Sequence, residues 1–132
     1  MKHVQIDRTK WIRGDKNNSM LYRPSDDKSC CVGLVCEALG VSKTDMAHVG
    51  TVEDLVSPGR EVKVPSEFTI ENAEAHTCNC EHCNSSMPAF SERFTLSELY
   101  AINDSEDLNN TERESTLIPL FASLGIEVEF IN

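Results

Sequence analysis

Apolar and polar positions alternate at the two ends of this chain and nowhere else so cleanly. From His3 to Asp7 the apolar Val4 and Ile6 face one side while Gln5 and Asp7 face the other, the two-residue period of a half-buried strand. IEVEFIN repeats the pattern, with Ile126, Val128 and Phe130 opposite Glu127 and Glu129. Two amphipathic terminal segments with few strand signals between them predict a small sheet built from both ends of the chain.

Between the strands the periodicity becomes helical. Ser29 to Leu39 is apolar on nearly every side, so it predicts a central buried helix, with Asp26, Asp27 or Ser29 capping its start and Gly40 ending it. Gly33 lies inside, where glycine costs about 1 kcal/mol relative to alanine, and predicts close approach of another element. Thr44 to Val56 predicts two short helical turns, the second capped by Thr51. Thr95 with Glu98, and Thr111 with Glu114, have capping-box spacing and predict two further helix starts. The second helix buries Leu117, Leu120, Phe121 and Leu124, stops at Gly125, and is bent or split near Ser115 by Pro119.

From Ser57 to Phe94 the composition shifts to Pro, Gly, Glu, Asn and Ser, with only a weak strand signal in REVKVP. A loop this long in a compact domain is functional, disordered or locally stapled. The expected fold is α+β: a single domain over 1–132, with a central buried helix, several short helices, a small terminal-strand sheet, and an irregular Cys/His-rich insertion at about 57–94.

Charge narrows the partners. The 132 residues carry a formal net charge of −10, and residues 1–40 hold seven Lys or Arg against five Asp or Glu, whereas residues 41–132 hold five against 17. Such a surface repels DNA, RNA and anionic lipid. The acidity keeps a small protein soluble or, in a sharper version, imitates a phosphate backbone. The longest apolar run, Cys30 to Cys36, is seven residues, far short of the roughly 20 that a membrane helix needs. The first ten residues do not have the form of a signal peptide, so the expected location is the cytosol.

In a reducing compartment clustered cysteines point to metal before disulfides. The stretch HTCNCEHC, His76 to Cys83, holds three cysteines and two histidines, enough for the four tetrahedral ligands of zinc. Cys80 and Cys83 have C-x-x-C spacing, and Cys78 reaches the same ion if the backbone curls. His76 is the natural fourth ligand because His82 adjoins Cys83 and would have to turn back sharply. Four protein ligands make such a zinc structural, ordering a loop with little core of its own. A reduced metal-free loop, a Cys78–Cys80 or Cys80–Cys83 disulfide, and a site that captures metal only during purification are the alternatives.

Cys30, Cys31 and Cys36 read as core. A nucleophilic role would start from Cys30 or Cys31 at the helix N-terminus, with His48 as base and Asp45 orienting it. No Gly-rich phosphate loop, H-E-x-x-H or G-x-S-x-G accompanies them, and Asn103 with Asp104 reads as turn chemistry.

KWIRG (10–14), KSCCVG (28–33), LYAINDS (99–105) and the ending ERESTLIPLFASLGIEVEFIN together resemble a group of small, mostly uncharacterised proteins of tailed bacteriophages and prophages. The recurring pattern is W-x-R-G, C-C-x-G, I-N-D and G-I-x-V-x-F. The resemblance covers both ends and leaves out HTCNCEHC. It implies a scaffold, with Trp11 as core anchor and Gly14 as a turn, and it implies a phage or prophage product in the bacterial host cytoplasm. The functional expectation is an accessory protein that binds and modulates a host protein, such as a component of a nucleic-acid-handling or defence system. A small cysteine-dependent enzyme and a virion component are the alternatives.

Overall fold

The computed structural model describes residues 1–15, 17–55, 62–68 and 87–132. Strand β1 (Lys2–Asp7) leads through a single 3-10 turn, Arg8–Lys10, into helices α1 (Cys31–Ala38), α2 (Lys43–Met46) and α3 (Val52–Leu55). A second 3-10 turn, Ser66–Phe68, precedes α4 (Met87–Asp104), α5 (Asn110–Ser123) and β2 (Ile126–Ile131). This is the expected small α+β architecture.

The two terminal strands pair with each other, in parallel, over their full length from Lys2 opposite Ile126 to Asp7 opposite Ile131. Parallel strands need a crossover, and here every described helix lies within it. The pleat turns Val4, Ile6, Ile126 and Val128 inward, all buried, and turns His3, Gln5, Glu127 and Glu129 to the surface. Under β1 packs α1, whose Cys31, Val32, Val35 and Cys36 are buried, while α5 packs on β2 through Leu117 and Phe121.

Gly33 sits where α1 crosses the chain at Leu21, and a Cβ there would lie 1.9 Å from the Leu21 carbonyl oxygen. The close approach expected of this glycine is present.

Several boundaries differ from expectation for local reasons. The N-cap of α1 is Cys30, whose sulfur accepts from the Gly33 amide at 3.4 Å. Asp26 and Asp27 are unavailable because Arg23 and Lys28 close a turn around them through paired backbone bonds. Ser29 is held in a bridge to Trp11, its amide donating to the Lys10 carbonyl and its carbonyl accepting from Ile12. Two short turns do form within Thr44–Val56 as expected, although Ser42 caps the first and the Thr51 hydroxyl bonds the Asp54 carboxylate.

Helix α4 begins at Met87, inside the span expected to be irregular, and runs through Thr95 without a new start. The true capping box of α5 is Asn109 with Glu112, whose side chains and amides bond reciprocally. Glu114, expected in that role, turns to Arg8 instead. Pro119 leaves α5 in one piece from Asn110 to Ser123. Of REVKVP, which carried a weak strand signal, residues 62–65 are described and form no strand; the 3-10 turn follows them, and Val64 and Phe68 lie in the core.

Candidate functional site

The sequence-expected zinc ligands His76, Cys78, Cys80 and Cys83, together with His82, lie outside the described residues. Their flanks do not. Phe68 before them is buried in the core, and Leu96 after them is buried on α4. Among the described residues no three His, Cys, Asp or Glu side chains converge as metal ligands.

One junction in the described part of the molecule centres on Asn103, which is fully buried near the end of α4. Its Oδ1 accepts from the Trp11 indole at 2.6 Å and from the Cys31 amide at 3.0 Å. Its Nδ2 donates to the Ile12 carbonyl at 2.9 Å and to Asp104 Oδ1 at 2.8 Å, while its carbonyl accepts from Gly14 N at 2.8 Å. One side chain thus ties the loop after β1, the first residue of α1 and the last turn of α4. Turn chemistry was expected of Asn103; it is instead a buried junction whose donors and acceptors are satisfied, as burial requires.

Arg113 completes the junction and was not expected. It occupies the buried face of α5 one turn before Leu117, and only its four-residue spacing from that stripe marks it in the sequence. Its Nη1 donates to the carbonyls of Ile102, Asn103 and Ser105, and its Nη2 to that of Leu108. Helix ends leave such carbonyls without intrahelical partners. A guanidinium has enough donors to take several at once. Burial, with Arg13 nearby, lowers its pKa from the ordinary arginine value. Gly14, at φ +66°, gives Arg113 room: a Cβ there would stand 3.3 Å from Nη2. Arg13 lies over the Trp11 ring at 4.8 Å, a cation–π contact.

The thiols of Cys30 and Cys31 are buried, and burial pushes Cys30 up to about 12 and Cys31 well above the ordinary thiol value. Desolvation outweighs the helix-terminus effect that would have favoured thiolate. His48, proposed as their base, is exposed and in the left-handed region at φ 63°, its amide bonded to the Tyr22 carbonyl. The thiols and the imidazole therefore belong to different environments, core and surface, and the arrangement supplies no activated nucleophile.

The surface is divided by charge. Arg8 grips Glu114 with two 2.8 Å bonds, and Asp27 accepts from Lys10, Tyr22 and Lys43. Those three donors hold the Asp27 carboxyl far below the usual carboxylate range. Further pairs join Arg23 to Asp26 and Lys2 to Glu67.

The turn between α4 and α5 differs. Asp104, Glu106 and Asp107, with Tyr100, Ala101 and Ser105, line a depression of about 620 Å³, and Glu98 and Glu112 are exposed on the two helices that flank the turn. Among the described residues none of these five carboxylates takes part in an ion pair. Among the described residues, five carboxylates outside any ion pair thus gather at one turn, which Arg113 holds through the carbonyls of Ile102, Asn103, Ser105 and Leu108.

No helix among the described residues is long and apolar enough to cross a membrane. No protein-family model, curated protein or solved structure matches this chain.

Proposed function

We propose that this chain is a phage or prophage accessory protein that binds a host protein in the bacterial cytoplasm and modulates it, with the acidic turn between α4 and α5 as the contact surface. The observation that carries the proposal is that turn. Arg8, Lys10, Lys43 and Arg23 pair with Glu114, Asp27 and Asp26, whereas Glu98, Asp104, Glu106, Asp107 and Glu112, gathered around one turn, share no ion pair among the described residues. Uncompensated charge of one sign steers a partner of the opposite sign and sets its orientation. The partner class that fits is a protein with a basic surface, such as one that handles nucleic acid. The same acidity disfavours direct binding of DNA or RNA.

Tagged wild-type protein and the double variant Glu106→Lys/Asp107→Lys are to be compared in pull-downs from bacterial lysate at low and moderate salt. The expected result is a stoichiometric partner on wild type that is lost from the variant and weakened by salt. A partner retained equally by both proteins, or none at either salt, overturns the proposal.

The proposal includes one structural zinc, held by Cys78, Cys80, Cys83 and His76. The density of thiolate and imidazole donors in HTCNCEHC supports it. Protein prepared without added zinc is expected to contain one equivalent, released by Cys80→Ser. Metal-free wild type would refute this part alone.

A further inference from the structure

Among the described residues two buried side-chain polar atoms make no hydrogen bond, Nη1 of Arg13 and Nε of Arg113. Buried donors in folded proteins are nearly always paired, so an unpaired one points to strain or to a partner that the chain does not itself supply. Two guanidinium donors unpaired at one place favour the second reading. The side chains are neighbours: Arg13 lies over the Trp11 ring, whose indole bonds Asn103 Oδ1, while Arg113 bonds the Asn103 carbonyl. Gly14, next in the chain to Arg13, backs onto Arg113 Nη2. Arg13 is also, after burial, the next cause of the lowered Arg113 pKa.

The carboxylates that act on this pair, Glu114 and Asp104, are engaged elsewhere. Both oxygens of Glu114 bond Arg8 at 2.8 Å, and Asp104 Oδ1 accepts from Asn103. Neither Arg13 nor Arg113 joins an ion pair among the described residues, in a chain whose formal net charge is −10. Arg8, Arg13 and Arg113 against Glu114 and Asp104 leave a single excess positive charge here.

The two arginines differ in freedom. Arg113 is 3% exposed and fixed by bonds to four carbonyls. Arg13 is half-buried, and among the described residues the Trp11 ring is what holds its guanidinium. A cation–π contact at a partly exposed site is weaker than a charge-assisted hydrogen bond, so an anion can draw Arg13 off the ring.

We infer that Arg13 and Arg113 together bind the carboxylate of a small organic acid through Arg13 Nη1 and Arg113 Nε, with Arg13 moving off the Trp11 ring to admit it. One carboxylate matches the excess charge, and its two oxygens match the planar fork of a guanidinium. The enclosure of both donors restricts the ligand to a small group.

Trp11 is the sole tryptophan, so its emission reports Arg13 leaving the ring. Acetate is titrated into the full-length protein at constant ionic strength, exchanged against chloride, while the Arg113 Nε–H resonance is followed by NMR. The expected result is a saturable change in both signals at millimolar acetate. Arg13→Gln should weaken binding roughly tenfold, and Arg13→Lys, which keeps the charge and loses the fork, several-fold. Lys63→Gln, which removes one exposed positive charge, should bind like wild type. A response that never saturates, equal affinity in both Arg13 variants, or a Trp11 change with a silent Arg113 Nε–H would overturn the inference. Phosphate binding more tightly than acetate would overturn the choice of a carboxylate.

Discussion

Replacing Asn103 by alanine should be among the most damaging single changes in the molecule. The substitution strands three buried groups at once: the Trp11 indole N–H, the Cys31 amide and the Ile12 carbonyl, all bonded to the Asn103 side chain at 3.0 Å or less. Leaving one buried polar group unpaired costs about 1–3 kcal/mol. With partial repair by water, the expected loss is about 4 kcal/mol, a large share of the 5–15 kcal/mol typical of whole domains. Trp11 is the sole tryptophan and lies against the site, so its emission during urea unfolding reports the change directly. At an m-value near 1.5 kcal/mol/M the midpoint should fall by roughly 2.5 M, or the variant should be unfolded from the start. Asn17→Ala, at an exposed position, should move it within about 0.5 kcal/mol. An Asn103→Ala protein that loses less than about 1 kcal/mol would refute the claim that this residue is the junction of the fold.

Other substitutions test separate elements. Gly33→Ala normally strengthens a helix interior, yet here the new methyl would overlap the Leu21 backbone; a loss of about 2–3 kcal/mol is expected, against a change within about 0.5 kcal/mol for Gly50→Ala, where nothing lies near. Glu114→Gln should cost about 1 kcal/mol at pH 7 by weakening the paired bonds to Arg8. Because Arg8 holds the folded Glu114 carboxyl below its ordinary 4.5, this stability is present above that pH and fades as pH falls through the depressed value; wild type and variant curves should converge in acid. Both tyrosine hydroxyls titrate above the ordinary 10.0, Tyr22 mainly through its bond to Asp27 and Tyr100 mainly through burial. Asp27→Asn should therefore return one phenol, Tyr22, toward its ordinary value in an ultraviolet titration and leave Tyr100 raised.

What was legible in the sequence was whatever burial writes as a period. The terminal strands, the buried α1 and the stripe through Leu117 and Phe121 follow from alternation or helical spacing, and the structure has them. Strand direction is not written that way: alternation says which residues face in, and only the intervening helices decide that β1 and β2 run parallel. Caps were misassigned because Asp26, Asp27 and Ser29 are all competent caps, and what removes them is the turn closed by Arg23 and Lys28. At Thr95 and Thr111 the box spacing falls inside continuous helix and marks no helix start, since threonine and glutamate also occur within helices. Arg113 escaped notice because a charged residue is ordinarily at the surface, and its burial depends on carbonyls supplied by another helix. Trp11, Gly14, Cys31 and Asn103, read from the sequence as scaffold and turn residues, meet physically at one hydrogen-bonded junction.

Pairing β1 with β2 also fixes an order of events during synthesis. The ribosome makes β1 before the described helices and β2 after them, so the ladder cannot close while the intervening chain is still being made. Until then Val4 and Ile6 have no strand beside them, and α1 lacks the completed sheet that should cover it. Closing contacts between distant parts of a chain is slow relative to forming local helices. A nascent chain whose helices form before β2 is made exposes the apolar face of β1, a form prone to aggregation or chaperone capture. A circular permutant that joins the two strands and opens the turn after α4 would let the sheet form early.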